Sequence, residues 1–166
     1  MSPYLSFGIM FSLALLQTTV IPRITVFGVY PDLVLMAVVS WSVLRGSKEG
    51  MVWAVIGGVV MDLFSAAPFG ISTLTLLIIG FTSGLGQASF FRIDLLVPIM
   101  VIVPATLVYQ LCIAGLLSLL TGAAGWGTRL GQVILPTMLV NSVGMTFVYV
   151  LVRLVHQRTH REEMAW

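Results

Sequence analysis

Charge is scarce in this chain: Asp, Glu, Lys and Arg make up only 8% of its 166 residues, against 58% hydrophobic residues. Soluble domains carry about a quarter charged residues, so a water-exposed globular fold is excluded. There is a single cysteine, Cys112. It rules out an intrachain disulfide and, inside an apolar run, reads as a small buried hydrophobe. The two histidines, His156 and His160, both lie near the C-terminus. No Ser–His pair is therefore available within the apolar segments, and neither Gly-x-Ser-x-Gly nor His-Glu-x-x-His occurs. Only Glu162 and Glu163 stand near the two histidines, so neither a metal site nor a cofactor is expected, and the chain reads as a non-enzyme. Met1-Ser2-Pro3-Tyr4 lacks Lys and Arg, and no small-x-small cleavage pattern follows. The first apolar segment is thus expected to stay as a helix.

What remains is hydrophobic sequence with a mean hydropathy of +1.07, cut by short polar breaks into windows near the roughly 20 residues that a helix needs to cross a bilayer. The pattern predicts an all-α, polytopic integral membrane protein forming a single transmembrane domain. Six helices are expected at about 4–21, 31–44, 51–65, 71–91, 95–120 and 132–155. The break Arg45-Gly46-Ser47-Lys48-Glu49-Gly50 predicts a tight turn between the second and third helices. Cytoplasmic loops collect Lys and Arg. In the six-helix reading one side receives Arg45, Lys48, Arg92, Arg153, Arg158 and Arg161 and the other only Arg23 and Arg129, which puts both termini in the cytoplasm. The basic residues are scattered at segment ends, so a nucleic-acid partner is not expected. The tail from His156 to Trp166 suits a helix end near anionic lipid headgroups. Trp41 and Trp126 are candidates for interfacial anchors.

Against this background two acids stand out, Asp32 and Asp62, because an acid near hydrocarbon normally faces protein or a water-filled cavity. Asp32 follows Pro31, where an acid complements the positive end of a starting helix. Asp62 ends a series of small residues, Gly50, Ala54 and Gly58, spaced by four along one helix face. Such seams let helices approach closely in lipid. This one could pack against another helix of the chain or receive a helix of a partner, and Gly50, Ala54, Gly58 and Asp62 are the candidate partner-binding residues. A second Gly-x-x-x-Gly occurs at Gly80 and Gly84. Gln17, Arg23, Asp32, Asp62, Gln110 and Asn141 form a candidate polar cluster or pocket, with Arg23 available to pair with either acid. Pro98, Pro104 and Pro136 are expected to bend the fifth and sixth helices.

An ordered set of residues resembles the rod shape-determining protein MreD family. It comprises Leu16-Gln17, Gly28-Val29-Tyr30-Pro31-Asp32-Leu33, Trp41 with Arg45-Gly46, Gly50, Gly57-Gly58, Asp62-Leu63 and Pro68-Phe69-Gly70. The resemblance implies a scaffold in the bacterial inner membrane, within the elongation machinery that directs peptidoglycan synthesis in rod-shaped cells. Its implied partners are the single-span protein MreC, the actin-like MreB, RodA and a class B penicillin-binding protein. The family is also similar in fold to the substrate-binding S components of energy-coupling factor transporters. This gives the alternative of a membrane subunit that binds a small molecule or vitamin, with Asp32, Asp62 and Arg23 lining a pocket.

Overall fold

A computed structural model of the chain describes residues 3–25, 28–65, 68–85, 96–121 and 130–163. Six α-helices are formed among these residues, with no strand: α1 (Pro3–Thr19), α2 (Leu33–Arg45), α3 (Ser47–Phe64), α4 (Ile71–Leu85), α5 (Leu96–Thr121) and α6 (Leu135–Glu163). A 3-10 turn, Ile21–Arg23, follows α1, and a π-type turn, Leu130–Ile134, leads into α6. Two segments, Val97–Leu116 and Gly131–Val155, are long and apolar enough to cross a membrane. Trp126, Arg92 and Arg129 lie outside the described residues.

The short helix α2 is the axle of the bundle. Every residue from Val34 to Ser42 is buried, and α2 touches all five other helices. A helix that is apolar all round belongs in a core, and at about 1.5 Å per residue its 13 residues extend only about 20 Å. The outer helices instead present large apolar side chains outward, such as Leu139, Val143 and Phe147 on α6 and Leu74, Ile78 and Phe81 on α4.

The turn between α2 and α3 is tighter than the sequence suggests. Gly46 alone separates the helices, at φ +87°, a conformation that glycine adopts without steric cost. α3 therefore starts at Ser47, ahead of the expected Met51, and Gly50 sits inside it. At this end Trp41 is fully buried instead of anchoring at an interface. Its ring stacks on Trp53 at 4.2 Å, and its indole N–H donates to Glu49 Oε2 at 3.0 Å. Arg45 completes the group, 5.7 Å from the Trp41 ring and 3.4 Å from Glu49 Oε1. The indole has a protein acceptor and an aromatic partner, which removes its reason to seek water.

Of the three prolines expected to bend helices, only Pro104 stands in a regular helix interior. Pro98 falls in the first turn of α5, where no N–H is needed. Pro136 follows the π-type turn, which shifts the hydrogen-bond register just where proline cannot donate.

Candidate functional site

The small-residue seam faces α4 of the same chain. A Cβ at Gly50 would meet Ser42 Oγ and, at 2.9 Å, the Gly80 carbonyl oxygen; one at Gly80 would meet Gly50 O at 2.8 Å and Ala54 Cβ at 3.0 Å. At Gly58 it would run into the Thr73 backbone, and at Gly84 into the Gly46–Ser47 backbone. The second Gly-x-x-x-Gly is thus the counterpart of the first. Of the two uses open to this face, packing within the chain is the one seen: Gly50, Ala54 and Gly58 are buried and hold α3 against α4.

Asp62, at the end of this seam, caps α4. Its Oδ2 accepts from Gly70 N at 2.9 Å, Thr73 N at 3.1 Å and Thr73 Oγ1 at 2.6 Å, while Oδ1 accepts from Ser72 N at 2.9 Å. These backbone donors belong to the opening of α4, where helix N–H groups have no intrahelical partner and the helix dipole favours negative charge. Gly70, at φ +102°, turns the chain so that its own N–H joins them.

Asp32 occupies the centre of a second network. Its Oδ1 accepts from Leu35 N and from Gln17 Nε2, both at 2.9 Å, and Gln17 Oε1 accepts from Val34 N at 2.9 Å. Two side chains thereby satisfy the first turn of α2. The backbone N–H of Asp32 donates to Asn141 Oδ1 at 2.9 Å, and Asn141 Nδ2 donates to Thr106 Oγ1 at 3.1 Å. The chain Gln17–Asp32–Asn141–Thr106 ties α1, α2, α6 and α5 together. Asn141 and Thr106 are completely buried, so their partners are not replaceable by water. Asn141→Leu is expected to cost about 2 kcal/mol by orphaning the Asp32 N–H and the Thr106 hydroxyl. Thermal unfolding of the purified protein checks this, and an unchanged midpoint would contradict it.

Beside this network a cavity of about 500 Å³ lies between the C-terminal ends of α1 and α3, the N-terminal ends of α2 and α4, the middle of α5 and the start of α6. Its lining includes Gln17, Asp32, Ser72, Tyr109, Gln110 and Thr137 among polar residues and Met61, Phe64 and Ile113 among apolar ones. Of the expected cluster, Gln17, Asp32 and Gln110 meet at this cavity, and Asn141 supports Asp32 from behind. Asp62 is elsewhere, engaged by α4. Arg23 is exposed, and among the described residues no ion pair joins it to either acid. Sequence reasoning missed Thr106, Tyr109 and Thr137. The signal was there: Thr106 and Tyr109 are three apart and Thr137 and Asn141 four apart, spacings that share a helix face.

The family model described as rod shape-determining protein MreD matches residues 1–159. No curated protein and no solved structure matches the chain.

Proposed function

The chain belongs to the rod shape-determining protein MreD family, and from that premise we propose that it is a non-catalytic scaffold of the bacterial elongation machinery. In this reading it is a six-span protein of the inner membrane with both termini in the cytoplasm, and it guides peptidoglycan synthesis by holding other proteins in place. Its immediate partner is an MreC-like single-span protein, with MreB, RodA and a class B penicillin-binding protein reached directly or through that partner. The family match over nearly the whole chain carries the proposal.

The construction of the bundle supports it physically. An axle buried from Val34 to Ser42 and two polar networks that tie helices together give a stiff body, while the outer helices expose apolar side chains to lipid or to another helix. In this reading Gly50, Ala54, Gly58 and Asp62 serve partner binding by fixing α3 against α4, whose outward residues, such as Val55 on α3 and Ile78 on α4, form the contact surface. Photo-crosslinking in cells from Val55 and Ile78, with Leu139 and Phe147 on α6 for comparison, tests this. Crosslinks to an MreC-like protein from the first pair support the surface, and crosslinks from the α6 pair alone move it to the opposite side. Failure at all four positions removes a helix-mediated contact on either side.

Topology has its own test. In a Cys112→Ser background, a cysteine at position 47 is expected to resist an impermeant reagent added from outside, and labelling there would refute the six-span arrangement. The tight Gly46 turn makes the prediction sharp, because α2 and α3 must then leave and re-enter the membrane on the same side.

A further inference from the structure

The cavity beside Asp32 is not used in the scaffold reading above. Its volume of about 500 Å³ falls within the roughly 300–1,000 Å³ typical of small-molecule sites. Exposed residues such as Pro22, Tyr30 and Ser65 lie at its edge, whereas Ser72 and Tyr109 are buried, so it has a rim and a floor.

Its chemistry is one-sided. Among the described residues, the lining contains one carboxylate, Asp32, and no lysine, arginine or histidine. Both hydrogen bonds to the Asp32 carboxylate fall on Oδ1. Among the described residues, Oδ2 has no partner. The amide of Gln110 is likewise without a hydrogen bond there, although it lines the same space. Three aromatic rings, Tyr30, Phe64 and Tyr109, complete a set that attracts cations through ring faces. Among the described residues, an anion would find an acid and no counter-charge. An ammonium group would find a charge-assisted acceptor and apolar walls for the rest of the molecule.

We propose that this cavity binds a small amphipathic amine, its ammonium group donating to Oδ2 of Asp32 and its apolar body lying against Phe64, Met61 and Ile113. The shared chemistry is a hydrogen-bonding ammonium, which a free amine or the headgroup of an ethanolamine lipid can supply. The site is independent of the scaffold reading: a partner-holding bundle can carry it, and its loss leaves that reading standing.

The test uses the full chain in detergent. Phenethylammonium is titrated while the unfolding midpoint is followed, with 3-phenylpropionate as the anion of similar shape. In parallel, native mass spectrometry reads retention of phosphatidylethanolamine against phosphatidylglycerol. A saturable rise with the amine and not the acid supports a free ligand, and selective retention of phosphatidylethanolamine supports the lipid source. Asp32→Asn keeps an oxygen for Leu35 and Gln17, since Asn caps helices as well as Asp. It is expected to weaken amine binding at least about ten-fold by removing a charged acceptor. Gln110→Leu, at a side chain with no partner to lose, provides a second variant if Asp32→Asn folds poorly, and should also weaken binding. No response to the amine together with no selective lipid retention overturns the proposal. So does a preference for phenylpropionate, or binding unchanged in both variants.

Discussion

Gly58→Leu is expected to damage the fold itself, lowering both membrane abundance and the unfolding midpoint of the isolated protein. A Cβ at this position would meet Thr73 Cα, and Thr73 N at 2.9 Å. These are backbone atoms of a helix start, which cannot swing aside as a flexible side chain can. Overpacking a core typically costs about 1–3 kcal/mol, and leucine adds three further carbons behind the Cβ, so about 3 kcal/mol or more is expected. The displacement would also pull Thr73 from Asp62, adding the loss of part of a cap. Gly8→Leu is the control, because nothing lies within 4 Å of a Cβ built there. A well-folded Gly58→Leu protein that has lost only its partner would show that the seam serves an external helix.

Asp62→Leu should be nearly as severe and worse than Asp32→Leu. The Asp62 carboxylate accepts four hydrogen bonds and the Asp32 carboxylate two. Removing Asp62 orphans the opening donors of α4 in a place where the side chain is buried. With a lost cap worth about 1 kcal/mol and buried unsatisfied donors costing about 1–3 kcal/mol each, a loss of about 3 kcal/mol or more is expected. Asp62→Asn, which keeps one accepting oxygen, should fall between. Complementation of a deletion strain at matched membrane levels, alongside melting of the purified variants, checks the order. Full rescue and an unshifted midpoint for Asp62→Leu would remove the capping role.

The difference between the two acids also marks where reading the sequence succeeds and where it stops. Asp32 was legible because its principal task is local: Pro31-Asp32 precedes the helix it caps, and Leu35 is three residues away. Asp62 does the same task for a different helix, across a turn that lies outside its own element, so no pattern around it announces the role. The seam was legible as a face, since a spacing of four fixes which residues share it. What covers that face depends on how helices assemble, and α4 supplied the cover. The six helices among the described residues were accessible because apolar windows are a strong signal, whereas the burial of Trp41 depends on the facing Trp53 of α3. The bond from the Asp32 N–H to Asn141 joins residues 109 positions apart. Composition could mark each as a polar residue in an apolar run, but only the folded bundle pairs them.

What the protein holds in its native membrane decides between a scaffold and a transporter subunit. Affinity purification of the tagged chain in mild detergent, followed by mass spectrometry, is the most direct measurement. It is expected to recover an MreC-like single-span protein together with RodA and a class B penicillin-binding protein. Recovery of transporter ATPases, with the cell-wall synthesis proteins absent, would contradict the scaffold and support a ligand-binding transporter subunit instead.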